Sequence, residues 1–436
     1  MKRAKNSRTH KSILITIMGI LTIYSALALP LTDNVTIRSS GIISLILPLH
    51  VEGRYFKNSL NQTVLLKGVN KPELADDPDG IWMGNTKWRD ENVKAELDAM
   101  KSWGVNVIRC HFSVELWKYD IGPASEHPAS FYCAISAREA IKRLLNFTAE
   151  RGIYVLLDPY SVRCYWTDGA QDPLPFPPYA KSPNASDIIG SVEEFVDWWI
   201  SVARELKDYP NVMFDLWNEP GGNSTAWLDA ANMCISAIRE EGFTGIIFFE
   251  WGSGMWANVY ADEETFPLGY VGLSGCRTWY SWLDTGIGVD YVIANLSDPL
   301  GNLAFDCHFY RTGGSCGLFR GTYRDTLREY WNTTTDYPWD YDQVKMVMEA
   351  MGWKYAAEKV PIICGEIGAS LGWISSNPTE HQNEMTAFGN VLSIFEEWGI
   401  GYTAFWWRNA GVFGLHNGPP SFTPTDSGEI LMEILK

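Results

Sequence analysis

The fold is decided by the stretch at residues 191–220, SVEEFVDWWI SVARELKDYP NVMFDLWNEP. The capping pair Ser191 and Glu194 opens a helix, whose apolar side chains recur at three- and four-residue spacing up to Leu206. The apolar run Val212–Trp217 that follows is short, as in a strand that is buried on both faces. The stretch therefore predicts a helix that leads into a parallel strand.

The same alternation of helix and short apolar strand recurs along the chain. Glycines stand where the predicted helices end, at Gly104, Gly152, Gly242 and Gly399. Eight alternating units predict an α/β fold of the (β/α)8 TIM-barrel type rather than an open sheet. The predicted strands are 63–70, 105–112, 153–158, 212–217, 246–250, 303–310, 361–366 and 402–407.

Three long segments and one short hairpin complete this predicted barrel. His50–Leu60 predicts a small N-terminal β-hairpin that closes the barrel floor. The segments 160–190, 253–300 and 311–341 are rich in Pro, Gly and aromatic residues and follow strands three, five and six. We expect them to be long loops that build the top face of the barrel.

The N-terminal segment resembles an export signal. Its first 28 residues hold five basic residues and no acidic ones, and no charge occurs from Ile13 to Leu31. Ala26-Leu27-Ala28 offers a cleavage site, so residues 1–28 are a signal peptide or, if uncleaved, a membrane anchor, and cleavage is preferred. Residues 29–49 are then an N-terminal extension and 50–436 the barrel domain, outside the cytoplasm in either case. Seven glycosylation sequons agree with export, at Asn34, Asn61, Asn146, Asn184, Asn223, Asn295 and Asn332.

Charge and composition restrict the partners. The chain carries 52 acidic and 35 basic residues, a formal charge of −17, and removing the five basic leader residues leaves 30 against 52, or −22. Such a body repels nucleic acid and anionic membranes, and it suits a neutral ligand. The 20 Trp residues offer faces that can stack on sugars, although many are expected to fill the core. We expect a monomer, with no membrane partner beyond the N-terminal anchor.

The cysteines and histidines show no metal-ligand spacing. Cys110, Cys307 and Cys364 lie in strand-like runs and are expected to be buried thiols. Cys133–Cys164 and Cys276–Cys316 are plausible bridges outside the cytoplasm, but the connectivity stays open. We predict no catalytic metal and no cofactor, since His111, His308 and His381 are not spaced as ligands.

Two glutamates stand out among the residues at the carboxyl ends of the predicted strands, where barrel enzymes hold their reactive groups. Glu219 follows strand four and Glu366 ends strand seven, on opposite sides of the mouth, so the two side chains can converge. Two converging carboxylates are the equipment for glycoside hydrolysis, and the alternative is that each is a structural ion-pair partner. The strand ends also supply Arg109, Asp158, Tyr160, Asn218, Glu250, His308, Tyr310 and Trp406.

At these residues the chain resembles glycoside hydrolase family 5, over roughly residues 50–436. Seven residues match the family pattern in chain order, namely Arg109, Asn218, Glu219, His308, Tyr310, Glu366 and Trp406. The resemblance implies a (β/α)8 barrel that hydrolyses β-linked glucans or mannans with retention of configuration. One departure is Leu157-Asp158-Pro159-Tyr160, because the family usually has His where this chain has Tyr160.

The resemblance assigns the roles. Glu219 would be the acid/base and Glu366 the nucleophile, with Arg109 and Tyr310 as the partners that stabilise the ionised nucleophile. Asn218 would bind the sugar 2-hydroxyl, His308 would orient Glu219 or bind sugar, and Trp406 would be the stacking platform. His111 and Glu250 are interpreted as structural.

The sequence thus predicts a secreted endo-β-1,4-glucanase, a cellulase that degrades a β-linked polysaccharide. An endo-β-1,4-mannanase or another β-glycanase of the same family is the first alternative. A non-catalytic carbohydrate-binding barrel and a membrane-tethered structural glycoprotein are alternatives from other classes. Both predicted catalytic carboxylates are present, which argues against the last two.

Overall fold

Apolar runs at regular intervals form the strands of a closed barrel in the computed structural model. The model describes residues 46–71, 89–122, 135–160, 176, 189–222, 224–250, 282–283, 289–309, 340–350, 353–369, 378–409 and 413–436. All of these belong to the unit Ser44–Lys436. Residues 1–45, Tyr310 and the four cysteines of the two predicted bridges lie outside the described residues, so those predictions stay predictions.

The described elements follow one another in βα order. They are β1 (Leu49–Glu52), β2 (Tyr55–Asn58), β3 (Lys67–Asn70), α1 (Asp90–Trp103), β4 (Val107–Ser113), α2 (Val114–Lys118), α3 (Ala137–Ala149), β5 (Tyr154–Tyr160), α4 (Val192–Leu206), β6 (Val212–Asp215), β7 (Gly221–Gly222), α5 (Ser224–Glu240), β8 (Ile247–Glu250), β9 (Trp282–Leu283), α6 (Val289–Asn295), β10 (Leu303–Asp306), α7 (Tyr341–Ala350), α8 (Trp353–Ala357), β11 (Ile362–Ile367), α9 (Pro378–Trp398), β12 (Gly401–Ala404) and α10 (Asp426–Leu435).

Eight of these strands form the barrel, in the order β3-β4-β5-β6-β8-β10-β11-β12, and β12 pairs with β3 to close it. Every neighbouring pair is parallel. The barrel confirms the predicted (β/α)8 fold. Its carboxyl ends all meet at one face, where side chains from several strands can converge.

The N-terminal hairpin is also confirmed. β1 and β2 pair antiparallel, with Leu49 opposite Asn58. The backbone N–H of Val51 donates to Oδ1 of Asn302 at 2.8 Å, and Asn302 immediately precedes β10. This bond attaches the hairpin to the amino-terminal end of a barrel strand, opposite the strand ends that carry the predicted site.

The helices cover the barrel with aromatic side chains. Ser191 caps α4 by accepting from the backbone N–H of Glu194 at 3.2 Å. In α4, Trp198 and Trp199 are buried and donate their indole N–H to the carbonyls of Val114 and Leu216. Nine Trp of the described part of the chain are buried, as expected for a Trp-rich core: Trp103, Trp117, Trp198, Trp199, Trp217, Trp227, Trp353, Trp398 and Trp407.

The two ends of the barrel sequence are joined by side-chain bonds as well as by the β12–β3 ladder. The Asn70 amide on β3 donates to the carbonyls of Gly365 at 2.7 Å and Thr403 at 3.0 Å. The last helix, α10, lies close by, because Nζ of Lys67 donates to the Ile434 carbonyl at 3.2 Å. Residues about 300 or more positions apart therefore close the barrel.

One predicted loop proves to contain regular structure. Within the predicted loop 253–300, residues 289–295 form helix α6 and Trp282–Leu283 pair with Gly221–Gly222, so the loop prediction is wrong for these residues. The helix has only seven residues, too few to give an apolar periodicity that stands out in sequence. None of the helices that the structure describes is long and apolar enough to cross a bilayer.

Candidate active site

Arg109 on β4 connects the residues of the candidate site. It is fully buried, and Nη1 donates to Oε1 of Glu366 at 3.0 Å. Nη2 donates to Oδ1 of Asn218 at 3.1 Å and to Oε2 of Glu250 at 2.9 Å. Burial alone would lower the pKa of Arg109, but the surrounding carboxylates raise it well above its ordinary value, so the guanidinium stays charged. Its contacts come from six other strands or the residues that follow them, namely Asn70, Asp158, Asn218, Glu250, Asp306 and Glu366.

Glu366 on β11 is held as an ionised carboxylate. Its Oε1 lies 3.1 Å from Nε2 of His111 in addition to the Arg109 bond, and its Oε2 lies 3.7 Å from Nδ1 of His308. Burial raises the pKa of a carboxyl, but the His308 and His111 rings and the Arg109 guanidinium outweigh burial. The pKa of Glu366 therefore lies well below its ordinary range, as a carboxylate nucleophile requires.

Glu219 follows β6 in a strained backbone conformation. Its φ is +45°, in the left-handed region that non-glycine residues rarely occupy. The backbone N–H of Glu219 donates to Oε1 of Glu250 at 2.8 Å, and its Oε1 lies 2.8 Å from Nδ1 of His308. Burial lowers the pKa of His308 to about 4, so this ring is neutral at neutral pH. The backbone and the side chain of Glu219 are thus both held by named partners.

The two glutamates face one another across the barrel. One carboxylate oxygen of Glu219 and one of Glu366 lie within 4.8 Å of each other and of a ring nitrogen of His308. Retaining glycosidases separate their carboxyl groups by about 5–5.5 Å, and inverting enzymes by at least about 6.5 Å. The closeness of these two oxygens agrees with the retaining arrangement.

A layer of buried acids lies around Arg109. Asp158, Asp215, Glu250 and Asp306 are all inaccessible to solvent. Burial raises the pKa of Asp158 to about 7, although Arg109 opposes the shift. The pKa values of Asp215 and Glu250 are also raised well above the ordinary range, by burial and by the neighbouring acids. Several of these carboxyls therefore hold protons, because one guanidinium cannot balance them all when ionised.

Three groups of described residues could in principle offer ligands to a metal. They are Glu219–His308–Glu366, Glu250–Asp306–His308 and Asp158–Asp215–Glu250, each with its ligand atoms within 4.8 Å of one another. In the last group, Nη2 of Arg109 lies 3.0, 3.6 and 2.9 Å from the three carboxylates, in the position of a cation. We interpret the groups as a network of carboxyls and rings around Arg109 rather than as metal sites.

The remaining predicted site residues are placed as follows. Asn218 is buried beside Arg109, and its backbone N–H donates to the Pro159 carbonyl at 3.1 Å. The Trp406 ring is partly exposed, and the Arg408 guanidinium lies 4.7 Å from its centroid, so a sugar on that face would displace Arg408. Tyr160 ends β5, but its side chain lies outside the described part of the chain, as does all of Tyr310.

Sequence reasoning undervalued two residues and missed others. His111 and Glu250, interpreted as structural, contact Glu366 and the backbone of Glu219 respectively. Asp215 and Asp306 were not identified as site residues. A signal existed, because three strands carry an aspartate directly after an apolar run, in Leu156-Leu157-Asp158, Met213-Phe214-Asp215 and Ala304-Phe305-Asp306.

Parts of this chain are similar in sequence to curated proteins. "Endoglucanase 1" of Robillarda sp. (strain Y-20) is 27% identical over 167 residues, 37% of this chain and 36% of that protein. "Beta-mannanase/endoglucanase A" of Caldicellulosiruptor saccharolyticus is 22% identical over 229 residues, 51% of this chain and 13% of that protein. The chain thus spans about a third or less of the length of these curated relatives.

A solved structure and a family model extend the likeness over most of the chain. The crystal structure of the beta-glucanase SdGluc5_26A from Saccharophagus degradans shares the fold, with a TM-score of 0.57 and 16% identity over 91% of this chain and 96% of that one. The model of the cellulase family, glycosyl hydrolase family 5, matches residues 61–411. The chain therefore belongs to glycosyl hydrolase family 5.

Proposed function

We propose that this protein is an endo-β-1,4-glucanase that cleaves β-linked glucan by a retaining double displacement. The observation that carries the proposal is the approach of Glu219 and Glu366 to within 4.8 Å at the carboxyl ends of opposite barrel strands. The family membership and the partners of each carboxyl support it.

In the first step, Glu366 attacks the anomeric carbon while Glu219 protonates the departing oxygen. Arg109 and His111 keep Glu366 ionised and aim one of its oxygens, since both contact Oε1. The glycosidic bond breaks, a bond from Glu366 to the sugar forms, and the proton of Glu219 leaves with the alcohol. Asn218, oriented by Arg109, is suited to bind the 2-hydroxyl, a bond that strengthens in the transition state.

In the second step, Glu219 acts as the base. It takes a proton from water as the water oxygen attacks the anomeric carbon and Glu366 departs. His308 is a neutral hydrogen-bond partner at 2.8 Å that serves both protonation states of Glu219, because a neutral imidazole both donates and accepts. Trp406 would stack on the reacting sugar.

The choice of glucan rests on the relatives, two of which have names that include endoglucanase. One of these names also includes beta-mannanase, so mannan is the second candidate substrate. Purified protein should be assayed on carboxymethylcellulose, glucomannan, galactomannan and xylan. Fastest release of reducing ends from carboxymethylcellulose supports the proposal, and preference for galactomannan makes it a mannanase. Binding without hydrolysis of any of them would indicate a non-catalytic barrel.

The roles of the two glutamates are tested with azide. Both Glu219→Ala and Glu366→Ala should lose several orders of magnitude in turnover. On a substrate with a good leaving group, Glu219→Ala should accumulate the glycosyl-enzyme, and azide should rescue turnover with retained β-configuration. Azide should instead give the α-azide with Glu366→Ala, by a single inversion. Exchange of the two products, read by NMR of the anomeric proton, would reverse the assignment.

We also propose that the protein is exported, on the strength of the basic and then apolar N-terminal segment. Cleavage after Ala28 would release a secreted enzyme that begins at Leu29. Mass spectrometry of the native protein tests this. Recovery of an active, membrane-bound enzyme that retains Met1–Ala28 would show an anchor that faces outward instead.

A further inference from the structure

Glu250, the last residue of β8, has no role in the reaction steps described above, although its carboxyl group hydrogen-bonds to the backbone of Glu219. Its carboxyl is inaccessible to solvent and so cannot touch the substrate. Its Oε1 accepts the backbone N–H of Glu219 at 2.8 Å. Its Oε2 accepts from Nη2 of Arg109 at 2.9 Å. Burial makes these two bonds expensive to lose, since water cannot replace an acceptor that a buried donor loses.

The same carboxyl also faces the side-chain partner of Glu219. Nε2 of His308 lies 3.3 Å from Oε1 of Glu250, off the line of an aligned hydrogen bond, and has no other hydrogen-bond partner in the described structure. Nδ1 of the same ring lies 2.8 Å from Oε1 of Glu219. One oxygen of Glu250 therefore approaches both the backbone of Glu219 and the ring that contacts its carboxyl.

The neutral His308 ring carries one N–H proton. Which of its two nitrogens holds this proton affects both Glu219, at Nδ1, and Glu250, at Nε2. If the proton lies on Nε2, facing Glu250, then Nδ1 accepts from a protonated Glu219. If it lies on Nδ1, the ring donates to an ionised Glu219 and Nε2 accepts from a protonated Glu250. Glu250 thus faces Nε2, the nitrogen whose protonation decides which tautomer His308 adopts.

The strained backbone at Glu219 needs such support. A residue with a φ of +45° keeps that conformation only when its surroundings impose it. The bond to Glu250 is the contact that fixes this peptide N–H. Glu250 is itself fixed by Arg109, and Asp158, Asp215 and Asp306 also face it within the buried layer.

We propose that Glu250 is a positioning residue for the acid/base Glu219, which it holds through the backbone N–H and through His308. This inference rests on the proposed function, in which Glu219 protonates the leaving group. Since Glu250 acts on the acid Glu219 rather than on the nucleophile Glu366, its loss should slow cleavage most for substrates whose leaving group must be protonated.

The test is the leaving-group dependence of cleavage by Glu250→Gln. Aryl β-glycosides with phenol leaving groups of graded pKa supply the series. The variant should lose about 10- to 100-fold in kcat/KM on the poorest leaving groups and much less on dinitrophenol, which needs no protonation. Glu250→Asp keeps a carboxyl group but withdraws it by one methylene. It should therefore show the same steeper dependence on leaving-group pKa, and it serves if the glutamine variant does not fold.

Asp158→Asn is the matched control. Asp158 is equally buried and contacts the same Arg109 nitrogen at 3.0 Å. Its second contact, however, is with His111, which contacts the nucleophile Glu366 rather than the acid/base Glu219. Its loss should lower the rate for all leaving groups alike. The slope to compare is that of log kcat/KM against the pKa of the leaving group. If both Glu250 variants show the wild-type slope, or the slope of Asp158→Asn, the positioning role is wrong while the proposed function stands. A wild-type protein that cleaves none of these glycosides overturns the proposed function and the positioning role with it.

Discussion

Replacing Asp158 by asparagine is expected to flatten the dependence of stability on pH. The carboxyl of Asp158 is fully buried, and its pKa is raised from 3.8 to about 7. Because the folded protein then binds this proton more tightly than the unfolded chain, the free energy of unfolding falls as the pH rises from about 4 to about 7. Above pH 7 both states are ionised, and this group changes the stability no further.

The magnitude follows from the shift. Between pH 5 and pH 8, Asp158 changes the free energy of unfolding only over the two units from pH 5 to its folded-state pKa of about 7. Each of these units corresponds to about 1.4 kcal/mol. The wild-type protein should therefore lose about 3 kcal/mol more than Asp158→Asn over this range. His308 and His416, whose pKa values burial lowers to about 4, act in the opposite direction below pH 6.5, but equally in both proteins.

Urea unfolding followed by Trp fluorescence at pH 5 and pH 8 measures the difference. Asp98→Asn is the control, because the Asp98 side chain is 65% exposed and its ion pair with Arg151 is a surface pair of small effect. That variant should keep the wild-type pH dependence. If Asp158→Asn loses as much stability as the wild type between the two pH values, the buried carboxyl does not hold its proton and the reasoning fails.

Two further predictions concern packing. Gly365→Ala should lower the free energy of unfolding by about 1–3 kcal/mol, since the new methyl would overlap both carboxylate oxygens of the buried Asp306. Gly389→Ala on α9 is the control, because its new methyl would contact only Ile430, at 3.2 Å. It should lower the free energy of unfolding less in the same urea assay. The four buried cysteines of the described structure, Cys110, Cys234, Cys307 and Cys364, should resist iodoacetamide until the protein unfolds, because the reagent cannot reach them. Burial also raises the thiol pKa of Cys110, Cys234 and Cys364. Peptide mapping that finds native labelling at any of the four would contradict this.

The barrel could be predicted because each of its strands lies in a short, mostly apolar run. Each of the eight predicted runs overlaps one barrel strand, although the bounds differ, and the first strand begins at Lys67 rather than Thr63. Hydrophobic pattern shows which residues are buried, whereas the first residue of a strand depends on pairing with a neighbour. Helix α6 was missed for the same reason that short helices usually are, since seven residues give too little periodicity.

The site could be predicted only as far as strand ends define it. Arg109, Asn218, Glu219, His308 and Glu366 lie together in the structure. Arg109 lies before the midpoint of β4, whereas the other four lie late in a strand or just after one. The contacts between them depend on the stagger of the strands, which the sequence does not show. Glu250 therefore looked structural in sequence, although one of its oxygens reaches the backbone of Glu219.

The seal between the first and last barrel strands has a consequence for how the protein is made. The Asn70 amide donates to the carbonyl of Thr403, 333 residues later, so a growing chain has no partner for the open side of β3 until the ribosome has passed Thr403. At about 5–20 residues per second, a ribosome leaves that strand edge uncovered for many seconds. A chain released before Thr403 would carry both Glu219 and Glu366 and yet present two open sheet edges, which invite aggregation. Premature termination should therefore yield insoluble protein rather than a weak enzyme.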